Sequence, residues 1–335
     1  MEVNLYIFNF NIVMLQILKN LTQKNTYLAL ALKLAGFLIL VIIFDVALGG
    51  LLKKFYFKQK SGWEYRTKYS IEKTQAEILI FGASRAQQQY NPVFFEERML
   101  QTCYNVGRDG EPIFYYYAIL KSVLKRYTPK IIILDIENGV FKESPSSYDK
   151  LSILLPFYKD HVEMRSIIEM RSRFEKLKLQ SNVYPYNSLL FKIALGNINT
   201  NKSEDIKGYV PLTRLWNEPL RTVDLSINYK LDTNKINYYK AFINDCNKAN
   251  VKLYIVCSPY FLRLKGSDSS MILAKQIADE ANIDFFDFSR DESFLANSKL
   301  FDDTVHVNTA GSKIFCNQLI DTLNNKSNEV VIKND

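Results

Sequence analysis

A doubly wound parallel α/β sheet is the fold class that three features of this 335-residue sequence predict. Short apolar runs recur after residue 76, helical patterns separate them, and the first three runs end in turns built from Gly, Ser or Asn. Runs that are apolar throughout, rather than alternating, suit strands buried on both faces. Strands that alternate with helices at such spacings build a parallel sheet.

The elements follow in order. "EILIF" (Glu77–Phe81) predicts the first strand and "CYNVG" (Cys103–Gly107) the second. "EPIFYYYAILKSVLKRY" (Glu111–Tyr127) predicts a helix with Pro112 in its first turn, where a missing N–H costs nothing. "KIIILDIE" (Lys130–Glu137) is the third strand, and "VKLYIVCSP" (Val251–Pro259) and "IDFFDFS" (Ile283–Ser289) the fourth and fifth. Helices are expected over Ile236–Asn250, Met271–Asn282 and Ala310–Leu323. Residues 141–230 break the rhythm and read as a mainly helical insertion capping one end of the sheet. Within it, His161–Leu179 is expected as one charged amphipathic helix with His161 facing solvent, and Asn197–Lys207 as a polar loop.

Before the sheet, "YLALALKLAGFLILVIIFDVALGGLL" (Tyr27–Leu52) is apolar apart from Lys33 and Asp45. About 20 such residues cross a bilayer, so residues 27–52 are expected as a transmembrane helix. Residues 1–26 form a tail, 53–76 a polar connector, 77–325 the α/β domain and 326–335 a polar tail. Asp45 would cost roughly 2.5–3.5 kcal/mol at the bilayer centre, but it lies toward the C-terminal end, within reach of the interface or a partner. Lysines flank both ends of the apolar run, so charge does not set its orientation.

Composition narrows the function classes. The chain carries a formal charge of +8 with its basic residues dispersed rather than in blocks, which argues against a nucleic-acid partner and suits an anionic membrane or envelope polymer. Cys103, Cys246, Cys257 and Cys316 lie far apart, and there are only two histidines, so no metal or cofactor site is expected.

In open α/β sheets the working loops lie at the carboxyl ends of the strands. Those ends here supply Ser84 in "GASR", and Asp303 and His306 in "FDDTVH". Together they make a nucleophile, a base and a carboxylate to orient the base. Taken singly, Ser84 reads equally as a helix N-cap, Asp303 as a turn residue, and Asp302 as a rival partner for His306.

"FGASRAQQQYNP", "YNVGRDG" and "DDTVHVNTAG" resemble three sequence blocks of the SGNH/GDSL hydrolase superfamily. The preceding apolar helix is similar to that of its membrane-anchored branch, which includes D-alanyl-lipoteichoic acid transfer and polysaccharide O-acyl-modifying proteins. The resemblance covers residues 77–140 and 232–325. It implies a flavodoxin-like three-layer sheet (the SGNH hydrolase fold) and a catalytic Ser84–His306–Asp303 set. It also implies an oxyanion hole drawn from the amides of Ser84, Gly107 or Gly110 and from the Asn138 side chain. Two positions depart from the blocks: Ala83 stands where Asp is usual, and "DIENGVF" replaces G-x-N-D, so that Asn138 reads either as the donor or as a turn residue beside Gly139. Arg85 either steers an anionic substrate or pairs with Asp109. The expected activity is removal or transfer of an ester-linked acyl group, such as acetyl, on a cell-envelope glycan, outside the cytoplasm. The alternative is a weak or silent module that binds glycan or assists a membrane O-acyltransferase.

Overall fold

The computed structural model describes residues 26–198 and 205–334, with side chains through Lys326. Residues 1–25 of the expected tail and 199–204 of the expected polar loop lie outside the described residues.

Five parallel strands form the main sheet: β1 (Ile78–Phe81), β2 (Cys103–Asn105), β3 (Ile131–Asp135), β5 (Lys252–Cys257) and β7 (Asp284–Asp287). Their spatial order is β2-β1-β3-β5-β7. In chain order of these five strands that is 2-1-3-4-5, a doubly wound order. The register sets Ile78 beside both Cys103 and Ile131, Asp135 beside Val256, and Cys257 beside Asp287. A second, two-stranded parallel sheet, β4 (Arg221–Asp224) with β6 (Leu262–Lys265), lies outside the expected pattern.

Successive side chains of a strand point to opposite faces, and the two cores follow that alternation. Leu79, Phe81, Ile132, Leu134, Leu253 and Ile255 bury into one core. Ile78, Ile80, Ile133, Tyr254 and Val256 bury into the other with Tyr90, Phe95 and Phe315. The helices that matter for the site are α1 (Thr26–Lys58), α2 (Gly62–Glu72), α3 (Ser84–Gln89), α4 (Pro92–Met99), α5 (Ile113–Arg126), α6 (Leu190–Ile198), α7 (Thr233–Lys248), α8 (Ser269–Glu280) and α9 (Thr309–Asn334). Pro112 caps α5 rather than sitting inside its first turn.

Helix α1 is long and apolar enough to cross a membrane, yet it does not stop at the expected boundary. It continues to Lys58, and Leu52 and Tyr56 join the domain core. Residues 53–76, expected as a connector, hold the whole of α2, where Glu64, Arg66, Thr67, Lys68 and Ile71 are buried. The last helix likewise runs past Leu323 to Asn334.

The single helix expected over His161–Leu179 is broken. A 3-10 turn at Val162–Met164 is followed by short helices at Arg165–Glu169 and Glu175–Lys178. Between them the Ser172 hydroxyl accepts the Phe174 N–H, the local side-chain competition that disfavours helix at serine. The buried Glu175 carboxylate then gathers Arg171, Lys178 and Tyr184. His161 does not face solvent: it packs edge-on to Phe157 and hydrogen-bonds Glu163 through Nδ1 at 2.8 Å.

Candidate active site

The site starts at the carboxyl end of β1. Gly82 has φ +146, and a Cβ there would meet the Asp135 carbonyl oxygen at 2.8 Å, so only glycine makes this turn. Ala83 then caps α3, and Ser84 is its first residue, half-buried at the edge of the sheet.

The second half lies in the loop before α9. An antiparallel bridge between Phe301 and Val307 closes it into a tight excursion. Asp303 Oδ1 accepts the N–H groups of Val305 (2.8 Å) and His306 (2.9 Å). Asp303 Oδ2 meets His306 Nδ1 at 2.8 Å, and His306 Nε2 meets Ser84 Oγ at 2.8 Å. An ionised carboxylate only accepts, so Nδ1 carries the proton and Nε2 of the neutral ring faces the serine as acceptor. Burial pushes the Asp303 carboxyl up. The hydrogen bonds from the His306 ring and from the Val305 and His306 amides outweigh it and hold the group below its usual value. The charge that orients the base is therefore present at neutral pH.

Several side chains hold this loop in place. Asn308 Nδ2 donates to the carbonyls of Arg214, Lys299 and Phe301, while its Oδ1 accepts the N–H groups of Ala310 and Gly311 and so caps α9. A Cβ on Gly311 would lie 2.2 Å from the Leu300 carbonyl oxygen, which explains the glycine in this block. Gln89 Nε2 reaches the Val305 carbonyl at 2.8 Å, and Phe261 N–H the Thr304 carbonyl at 2.9 Å. Asp302 is not the partner of His306: its carboxylate binds the Arg214 amide (3.0 Å) and guanidinium (3.2 Å). Arg214 and Gln89 carried no signal in the sequence, because each acts on a segment 88 or more residues away.

Three further expectations need correction. Arg85 neither lines a substrate path nor pairs with Asp109. It is 1% exposed, stacks on Tyr260 at 3.8 Å, donates to Ser258 Oγ and lies 4.0 Å from Asp135. Asp135 in turn accepts the Tyr90 hydroxyl and the Ser258 N–H, so the network ties the ends of β1, β3 and β5 together beneath the site. The Gly107 amide already donates to Asn105 Oδ1 at 2.9 Å and is not free for an oxyanion. Asn138 donates its backbone N–H to Tyr260 Oη and lines a separate hollow with Asp268 and Met271.

Of the expected donors, the Ser84 amide stands at the nucleophile, where a first-turn N–H has no partner within its helix. Gly110 forms a turn at φ +71 whose carbonyl takes the Lys150 ammonium. A hollow of about 850 Å³ flanks this loop, lined by Trp63, Glu64, Arg108, Glu111, Lys150 and Lys192. Arg108 links it to the site, its amide donating to the Gly82 carbonyl at 3.0 Å. Burial lifts the Glu111 carboxyl to about 7, against the opposing pull of Arg108 and Lys150.

Fold and site together define a parallel α/β protein carrying a hydrogen-bonded Ser–His–Asp set at the carboxyl edge of its sheet. No family model and no curated protein matches the sequence. Among solved structures, the chain is similar to an acetyl xylan esterase, with 14% identity and a TM-score of 0.37, over 73% of this chain and 98% of that one.

Proposed function

We propose that the protein is a membrane-anchored serine esterase or acyltransferase of SGNH type, acting on an ester-linked acyl group of a cell-envelope glycan or polymer. The observation that carries this reading is the unbroken chain from Asp303 through His306 to Ser84, with both links at 2.8 Å.

In the proposed reaction Ser84 Oγ attacks the acyl carbon as its proton passes to His306 Nε2. The resulting imidazolium is held by Asp303, and the oxyanion by the Ser84 amide. His306 then returns the proton to the departing sugar oxygen, leaving an acyl ester on Ser84. A water or a second hydroxyl repeats the steps in reverse, giving hydrolysis or transfer. Such substrates lie outside the cytoplasm, so α1 serves as the anchor and the domain faces the exterior.

The full chain in detergent micelles should hydrolyse 4-nitrophenyl acetate, and Ser84→Ala should abolish the activity without lowering thermal stability. Equal rates for the two proteins would end the proposal. For orientation, a Leu100→Cys variant in intact cells should react with a membrane-impermeant maleimide, Leu100 being 87% exposed. Labelling only after lysis would put the domain inside.

One observation favours a second reading, a silent module that binds glycan or assists a membrane O-acyltransferase. The Gly107 amide, one of the expected oxyanion donors, is already bound to Asn105 Oδ1. Glycan binding by a Ser84→Ala protein whose parent lacks esterase activity would select it.

A further inference from the structure

The insertion meets α1 at a point that fixes its height relative to a bilayer. Both Asp45 carboxylate oxygens are occupied by it: Ser181 Oγ and the Val183 N–H reach Oδ1, and the Asn182 N–H and Nδ2 reach Oδ2. Gly49 lets Asn182 approach α1 closely, since a Cβ there would lie 2.4 Å from the Asn182 Cβ. Farther along α1, Lys53 pairs with Asp160 at 2.6 Å, and Lys159 reaches the Asn182 side chain. This polar collar lies eight residues beyond Asp45, about 12 Å along a helix.

A hydrocarbon layer of about 30 Å takes about 20 residues, which from Tyr27 ends near Val46. Asp45 and the 181–183 segment bound to it then sit at the membrane interface, and the rest of α1 stands above it. Beside that segment the insertion presents apolar side chains left uncovered by the described residues. Phe174 is 51% and Leu177 71% exposed, three residues apart, while Glu175 and Leu179 face inward. Arg173 and Lys176 are exposed among them, with the Arg173 guanidinium over the Phe174 ring at 4.5 Å. Aromatic and aliphatic tips interspersed with cations are the chemistry of a surface seated about 5–10 Å into an anionic lipid boundary.

We infer that the insertion is a second membrane contact: Phe174 and Leu177 enter the lipid interface beside α1. The inference rests on the reading of α1 as an anchor. With two points of attachment the domain cannot swing freely on its helix, and the Ser84 edge is held at one height and orientation over the bilayer.

The four native cysteines are buried, so single cysteines can be introduced and labelled with an environment-sensitive fluorophore. Full-length Phe174→Cys and Leu177→Cys proteins would be placed in nanodiscs containing anionic lipid and doxyl-labelled lipid. Ile42→Cys, within α1, reports the bilayer; Ile272→Cys, on α8 at the β7 edge, reports water. The inference predicts blue-shifted emission and quenching about threefold or more above that of Ile272→Cys at both positions, approaching that of Ile42→Cys. Quenching at 42 with water-like emission at 174 and 177 would overturn the inference and leave the anchor standing. Water-like emission at 42 as well would overturn the anchor itself.

Discussion

His306 owes its orientation to Asp303 and owes the position of Asp303 to two backbone amides in the same loop. Asp303→Asn keeps the shape but allows the wrong tautomer, and should lower kcat by about 10³- to 10⁴-fold. Asp302→Asn, at a carboxylate that binds Arg214 rather than His306, should cost far less in the same assay. Asn138→Ala should leave kcat within a few fold, not the about 100- to 1000-fold loss that follows removal of an oxyanion donor; a loss of that size would return Asn138 to the site. The hydrogen-bonded Ser84, His306 and Asp303 were legible because their signals are local: a serine at a strand end, and an Asp three residues before a His at a helix entry. Arg85, Gly107 and Asn138 were not. Their fates depend on Ser258, Tyr260 and a side chain of Asn105, and no local pattern reports who occupies a hydrogen bond across the sheet.

At the level of elements, strand and helix positions followed from continuous apolar runs and helical periodicity, because burial on both faces leaves a plain mark in the sequence. The breaks did not. The His161–Leu179 stretch has helical composition, but its buried Glu175 cluster and the Ser172 turn divide it. Likewise the polar look of residues 53–76 concealed α2, whose charges are buried because they are paired: Glu64 with Arg108 at 3.3 Å, Arg66 with Asp205 at 3.8 Å. The network under the site makes a sharper case. Arg85→Met removes the cation while leaving Asp135 buried, and should destabilise the fold by about 3–5 kcal/mol in denaturant unfolding. A cost under about 1 kcal/mol would mean that Asp135 is satisfied by Tyr90 and Ser258 alone.

For the whole molecule, the sheet order β2-β1-β3-β5-β7 brings the turn after β1 and the loop before α9 to one edge, while α1 and the insertion cover another side. Beside that edge, Glu111 couples stability to pH. Its folded pKa of about 7 lies above the ordinary 4.5, so the folded state holds the proton more tightly, and stability falls as pH rises through that window. Between about pH 5 and pH 8 the loss should reach about 2 kcal/mol, and Glu111→Gln should flatten the dependence in thermal melts. The account rests above all on Ser84 being a nucleophile activated by His306. Treating the full chain in its membrane with a fluorophosphonate probe and mapping the adduct by mass spectrometry tests this directly. The account predicts a single adduct on Ser84, absent in Ser84→Ala and strongly reduced in His306→Ala. A folded wild-type protein that takes no label at Ser84 would contradict it.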